Sequence, residues 1–439
     1  MWLLRWVRGH HRRAYVVPVR LAPPPWSHDA VATIRRAYFR HRHERLNAWV
    51  AMQPDVAALA PLPTGWARWR AWFVEDVLAM SLQALRRHGR WVRHETGKPR
   101  WRQWLEMAWL AVRLPAMPET YYKFEWYLPR QRLRARSYLH RYELKRVVYL
   151  LLAPGPAAAS LKDKHAFAEQ ASESGLPVPR TFGTIVDGAL RFTDGIGVDD
   201  LQRDLFVKPI DGKGGRGADR LRYLAGQDAP YHSDTRGRAY TLQQLLDHCA
   251  ERSRKPRYRR GFMLQALVPN HPDVAPLAGA ATSTCRIVTM LDESGSPEPI
   301  IAIFRMAGSV ESVVDNSHAG GMAAPVDLAS GRLGAAAFLA HDASLARYAE
   351  HPDTGARIDG AVLPRWDEVV ALALRAHRSF SDYVLIGWDI AITPDGPVII
   401  EGNDQPCPEG LQRRHRLPLG DQRFGELLAW HLRARRLAR

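Results

Sequence analysis

The chain has 439 residues, 46% hydrophobic and 24% charged. These ordinary globular values exclude wholesale disorder and a fibrous repeat and, at this length, predict two or three folded units. The net charge of +17 is confined to the start of the chain: residues 1–150 hold 28 Lys and Arg against 10 Asp and Glu, and the remainder holds 34 against 35.

The same basic stretch carries 12 of the 15 tryptophans, so composition marks a boundary near residue 150. The opening apolar run is broken by Arg5 and Arg8, too early for a secretory core or a membrane span, and no later run is long enough to cross a bilayer. Apolar residues at three-and-four spacing, Trp69, Trp72, Phe73, Val77 and Leu78, then Trp104, Met107, Ala108 and Ala111, predict an α-rich domain over residues 1–152. Its arginines suit contact with an anionic membrane or an acidic glycan, or form a merely solvated basic face. No nucleic-acid signature accompanies them, so no nucleic acid is expected as a partner. Cys249, Cys285 and Cys407 are far apart, without a CxxC pair, which speaks against a disulfide framework or zinc site. A cytoplasmic protein is expected, peripheral at the inner face of the membrane if the basic domain docks there.

Ala153 to Ala159, with its Pro-Gly-Pro, reads as a linker. Beyond it, short strands, glycine-rich turns and helices predict an α+β fold. Asp163 is a good N-cap for a helix from Lys164 to Ser174, which Gly175, Pro177 and Pro179 end. Lys164, in its first turn, is a candidate phosphate contact and equally an ordinary surface lysine. Leu205-Phe206-Val207-Lys208-Pro209 reads as a buried strand ending at a lysine, followed by a loop containing Gly212, Gly214, Gly215 and Gly217. Glycines let backbone N–H groups approach phosphate oxygens closely, and Lys208 adds a point charge. The loop is neither a Walker A motif nor a dinucleotide fingerprint, and a glycine-rich hairpin turn explains it almost as well.

Phe262 to Val268 is a further apolar strand. In the next, Thr282 to Thr289, Arg286 shares a face with Thr284 and Val288, opposite Cys285. An arginine there needs an anionic partner, a ligand phosphate or a structural carboxylate. Asp315-Asn316, His318 and Gly320-Gly321 form a polar loop. The most informative segment is a hairpin, Gly387 to Ile392 and Pro397 to Asn403, around a Pro-Asp-Gly turn. A turn centred on Asp395 puts Asp389 opposite Glu401, with Asn403 on Glu401's face. Opposed carboxylates are unfavourable unless a cation sits between them, and hard oxygen donors suit Mg²⁺ carrying nucleotide phosphates. A one-residue register slip would instead leave both carboxylates solvated at a sheet edge.

In this order, Asp163-Lys164, Val207-Lys208-Pro209 with its glycine loop, Ser283 to Thr289, Gly320-Gly321, Gly387-Trp388-Asp389 and Glu401-Gly402-Asn403 resemble the sugar-transfer-associated ATP-grasp family over about residues 155–420. The resemblance implies an ATP-grasp fold of two α/β subdomains clasping ATP, with the lid over residues 153–262 and the metal-binding subdomain with a C-terminal helix over 263–439. It implies that Lys208 and the glycine loop hold the phosphates, Lys164 assists them, and Gln265, Ala266, Leu267 and Val268 form the adenine hinge. Arg286 would neutralise the transferred phosphoryl group, and Asp389, Glu401 and Asn403 would hold Mg²⁺. Two departures stand out: Gln265 occupies the hinge where many relatives carry a ribose-binding glutamate, leaving Asp273 as a candidate, and the chain begins with a basic helical domain. The expected activity is an ATP- and Mg²⁺-dependent ligase that activates a small-molecule or glycan-linked carboxylate for attack by an amine or similar nucleophile in cell-surface polysaccharide or glycoconjugate biosynthesis. A kinase of the same fold and a non-catalytic nucleotide-binding scaffold of glycan assembly are the alternatives.

Overall fold

The computed structural model describes residues 77–114, 116–140, 149, 152, 154–155, 161, 163–211, 217–278, 281–309, 320–338 and 346–437. Expectations for residues 1–76, for Gly212, Gly214 and Gly215, and for Asp315, Asn316 and His318 lie outside them. The chain divides into two units. One comprises Met1–Leu152, His341–Ala346 and Cys407–Arg439, the other Ala153–Ala340 and Arg347–Pro406.

In the first unit, α1 (Met80–Thr96) buries Ser81, Ala84, Leu85, Gly89 and Val92, the three-and-four spacing of a one-sided helix. Gly97 takes the left-handed conformation, φ 68°, and its N–H caps Arg93 O, which ends the helix. Lys98 and Pro99 lead into α2 (Arg100–Arg113). Gln103 pins this turn, its amide donating to Gly89 O at 3.1 Å and Lys98 O at 2.9 Å. The core beneath is aromatic: Tyr121, Tyr122, Trp126, Tyr127 and Tyr138 are each 1% exposed, and Phe124 stacks on Tyr138 at 4.5 Å.

The second unit opens with α3 (Lys164–Glu173). Asp163 caps it as expected, Oδ1 accepting from His165 N at 3.0 Å and Ala166 N at 3.2 Å. A seven-stranded sheet follows: β1 (Thr181–Val186), β2 (Ala189–Phe192), β3 (Leu205–Pro209), β4 (Asp219–Tyr223), β5 (Tyr231–Ser233), β6 (Arg238–Tyr240) and β7 (Phe262–Ala266), in the order β2-β1-β7-β3-β4-β5-β6. Between β6 and β7 lies α4 (Leu242–Ser253), started by a reciprocal capping box between Thr241 and Gln244.

The second sheet has six strands, β8 (Thr284–Leu291), β9 (Pro297–Met306), β10 (Met322–Val326), β11 (Ala337–Phe338), β12 (Leu385–Thr393) and β13 (Gly396–Asn403), in the order β11-β10-β9-β8-β12-β13. Helix α5 (Trp366–Ser379) buries Val369, Leu372, Ala373, Ala376 and His377 in the core beside this sheet. All nine residues of β12 are buried, as an apolar strand inside a sheet requires. The pairings within both sheets are antiparallel.

The last helices, α6 (Pro408–His415) and α7 (Arg423–Leu437), group with the first unit, although sequence reading attached the C-terminal helix to residues 263–439. The reason is polar and long-range. Gln412 accepts from Leu139 N at 2.9 Å and donates to Leu139 O at 2.8 Å. Lys123 meets Glu409 at 3.1 Å, and Arg134 meets Asp421 at 2.8 Å.

Candidate functional site

The β12–β13 hairpin turns in two residues, Pro394 and Asp395, because Thr393 already pairs with Gly396. Near the turn the partners are therefore one residue closer than a turn centred on Asp395 predicts, as in Ile390↔Ile399. A bulge then leaves Ile400 extra on β13 and restores the expected pairing, Asp389 opposite Glu401 and Gly387 opposite Asn403. Beside Asp389, Trp388 is fully buried and faces Gly402. A Cβ on Gly402 would stand 2.9 Å from the indole and 3.0 Å from Leu161 Cδ2, so glycine is what lets that ring lie flat under the hairpin.

A buried polar chain fixes the indole from below. Trp388 Nε1 donates to Thr289 Oγ1 at 2.9 Å, Thr289 Oγ1 meets His377 Nδ1 at 2.7 Å, and His377 Nε2 meets Tyr383 O at 2.7 Å. Burial pushes the His377 imidazolium down to about 4, so the ring is neutral at pH 7.

Asp389, 3% exposed, lies beside Arg286 of β8 through the β12–β8 ladder. Arg286 donates from Nε to Oδ1 and from Nη2 to Oδ2, the latter at 2.6 Å, a two-pronged contact. Arg305 of β9 adds Nη1 to Oδ2 at 3.1 Å. Burial works to raise the Asp389 carboxyl, but the two guanidiniums and a hydrogen bond with Glu401 outweigh it and hold the group down at about 2. Arg286 thus has a carboxylate partner of its own. Arg305 escaped the sequence reading, although it carries the same signal as Arg286, an arginine set in the apolar run Ile300 to Met306.

Glu401 is half-buried and accepts from Asn403 Nδ2 at 3.2 Å. Its charge also reaches Lys208, at the end of β3. Lys208 is 9% exposed, and among the described residues no side chain or carbonyl accepts a hydrogen bond from its ammonium. Burial, with the charge of Lys164 beside it and against the pull of Glu401, pushes its pKa down to about 8. Lys164 is brought there by Arg260, whose Nη2 holds Asp163 Oδ2 at the start of α3 and whose Nη1 reaches Asp211 Oδ1 at 3.1 Å, just beyond β3.

The other predicted residues are less close-knit. Gln265 is 3% exposed and its amide donates to Thr181 Oγ1 at 3.0 Å on β1. Ala266 N donates to Arg180 O, and Val268 O accepts from Thr282 Oγ1 at 2.8 Å; Leu267 lies between them. Gly217 has φ 88°, and a Cβ there would meet Arg252 and the Tyr258 hydroxyl at 2.7 Å. Asp273 is an exposed residue whose N–H donates to His271 Nδ1.

Two lysines, one of them buried, thus put two positive charges near each other at the end of β3, with Glu401, among the described residues, the one carboxylate whose charge acts on Lys208. The opposed carboxylates with an adjacent amide are the hard oxygen donors that suit Mg²⁺. Among the described residues, no group of three or more His, Cys, Asp or Glu side chains is placed to hold a metal ion. The donor set suits Mg²⁺ in its chemistry and the two ammonium groups suit an anion, with Asp389 already charge-balanced by Arg286 and Arg305.

A family model described as sugar-transfer-associated ATP-grasp matches residues 145–413. The chain belongs to the sugar-transfer-associated ATP-grasp family. No curated protein matches the sequence. Solved structures similar to this ATP-grasp chain include an L-amino acid ligase from Bacillus licheniformis, 13% identical over 66% of this chain and 53% of that one, TM-score 0.35. A D-alanine–D-alanine ligase from Bacillus anthracis is 13% identical over 64% of this chain and 70% of its own, TM-score 0.34. The ATP-grasp ligase PsnB, in complex with Mg and ADP, is 17% identical over 71% and 70%, TM-score 0.33. The chain thus spans about half the length of the first of these ligases. Among the described residues no helix is long and apolar enough to cross a membrane.

Proposed function

We propose that this ATP-grasp chain is an ATP- and Mg²⁺-dependent ligase. It joins a carboxylate, activated as its acyl phosphate, to an amine or similar nucleophile, in the cytoplasm and in the service of cell-surface polysaccharide or glycoconjugate synthesis. The observation that carries this reading is Lys208, buried between Lys164 and Glu401 with no described acceptor for its protons. A cation so placed is poised for phosphate oxygens. The glycan setting comes from the family's description.

Lys208 and Lys164 bind the nucleotide phosphates, and the segment Gln265 to Val268 holds the adenine edge. Mg²⁺, when bound by Asp389, Glu401 and the Asn403 amide oxygen, would supply Lewis acidity at the phosphoryl oxygens. A substrate carboxylate oxygen attacks the terminal phosphorus, forming a P–O bond as the bond to ADP breaks. Lys208 offsets the negative charge carried by the transferred group, and Arg286, already paired with Asp389, adds to the positive field around it. The amine nitrogen then attacks the acyl carbon, a C–N bond forms, phosphate departs with the C–O bond pair, and the amine loses a proton to water.

Trapping tests the reaction. With ATP, Mg²⁺, hydroxylamine and a panel of amino-acid and sugar-acid carboxylates, a ligase yields a hydroxamate with equal ADP and inorganic phosphate. ADP accompanied by a stable phosphorylated product and no free phosphate would replace the ligase with a kinase.

A further inference from the structure

Helix α2 buries Gln103, Met107, Leu110 and Ala111 and turns its opposite face to solvent. That solvent face is apolar. Trp101 is 65% exposed, Leu105 50% and Trp109 60%. Their i, i+4, i+8 spacing aligns them in one stripe about 12 Å long. Single exposed apolar residues are ordinary, whereas a continuous aromatic stripe marks an interaction surface.

Charge identifies the partner. Residues 77–140 contain 13 Lys and Arg against 4 Asp and Glu. Of the four acids, Glu95 and Glu119 are exposed, and Glu106 is engaged by Lys98, Arg102, Arg132 and the Tyr121 hydroxyl. Glu125, 3% exposed, pairs with Arg416 at 2.8 Å. Arg102 and Arg113 on α2 and Arg86, Arg87, Arg90 and Arg93 on α1 are exposed. Exposed arginines thus share α2 with the apolar stripe and also line the solvent side of α1.

We propose that the Trp101, Leu105 and Trp109 face of α2 docks on a bilayer containing anionic lipid. Tryptophan, apolar in body and polar at its N–H, partitions to the lipid–water boundary, and leucine enters the acyl region just below it. Arginines around the stripe meet headgroup phosphates. An apolar protein groove would satisfy the stripe and give the surplus of exposed positive charge nothing to meet; a nucleic acid would satisfy that charge and gain nothing from leucine. Three apolar residues on one face place the helix in the interface, lying along it. The inference is independent of the reaction proposed above, because none of these residues belongs to the Lys208–Glu401 site.

Co-sedimentation of the full chain with phosphatidylcholine vesicles, with and without phosphatidylglycerol, tests it. The wild-type chain binds the anionic vesicles, less at high salt, and binds neutral vesicles at least about tenfold more weakly. Trp101→Ala/Leu105→Ala/Trp109→Ala lowers anionic-vesicle affinity at least about tenfold with circular dichroism unchanged. Leu133→Ala, which removes an apolar side chain 81% exposed outside α2, leaves it unchanged. Trp101→Phe/Trp109→Phe keeps the stripe apolar, retains binding within about threefold and loses quenching by brominated acyl chains. Equal binding of the triple variant and the wild-type chain overturns the proposal, as would failure of the wild-type chain to bind anionic vesicles at low salt.

Discussion

Lys208→Met separates a ligand-holding lysine from a structural one, because the two roles predict opposite signs. Burial beside Lys164 lowers the ammonium from 10.5 to about 8, which corresponds to about 3 kcal/mol against the charged form in the folded state. The folded pKa lies below the unfolded one, so the unfolded chain binds more protons between those values and wild-type stability rises as pH goes from about 8 to 10.5. Methionine keeps the length and removes the charge. At pH 7 the variant is therefore more stable by up to about 3 kcal/mol, and its stability loses that rise with pH. ATP affinity falls about 10- to 100-fold with the loss of a charged contact to phosphate. In the wild-type chain, ATP affinity declines by up to about tenfold per pH unit above 8, whereas in Lys208→Arg it does not. Urea unfolding at pH 7 and 10, with calorimetric ATP titration, reads all three effects. A variant less stable than wild type at pH 7 that binds ATP equally well refutes the reasoning.

Three further changes probe the support of the site. Acid unfolding reports His377: its folded pKa of about 4 is below the unfolded value of 6.5, so its contribution of about 3 kcal/mol is complete above pH 6.5 and disappears as pH falls to 4. In His377→Gln that segment of the pH–stability curve flattens. Arg305→Met removes one of the two arginines on Asp389 and lowers unfolding free energy by about 2 kcal/mol, measured in urea. It also moves the acid loss of Asp389 stability, otherwise confined between pH 3.8 and about 2, toward the upper limit. Gly402→Ala drives a methyl into the Trp388 ring and lowers the melting temperature, costing about 1–3 kcal/mol, and it weakens MgATP binding through the displaced hairpin.

Local chemistry was legible in the sequence where one segment contained the whole reason for its shape. Asp163 capped its helix, Lys208 closed its strand, and the hairpin brought Asp389 opposite Glu401. That pairing arises by another route than expected, since a shorter turn and the bulge at Ile400 compensate each other, and no turn rule reports a bulge six residues away. What stayed hidden depends on contacts between distant segments. Arg305 reaches Asp389 only because β9, β8 and β12 are consecutive in the sheet. The C-terminal helices join the first unit through Gln412 and Leu139, 273 residues apart. The exposed stripe of α2 has the periodicity of a buried face, and only its exposure shows that Trp101, Leu105 and Trp109 are outside the core.

In the proposed reaction the Asp389–Glu401 pair beside Lys208 holds a metal–nucleotide complex. Glu401→Gln tests it most directly, because Glu401 is half-buried and carries less of the structure than Asp389. Calorimetric titration of ATP with and without Mg²⁺ should show Mg²⁺-dependent binding in the wild-type chain. In Glu401→Gln, that Mg²⁺ dependence should fall at least about tenfold at unchanged melting temperature. Identical MgATP binding by the variant and the wild-type chain would remove Glu401 from the metal–nucleotide site.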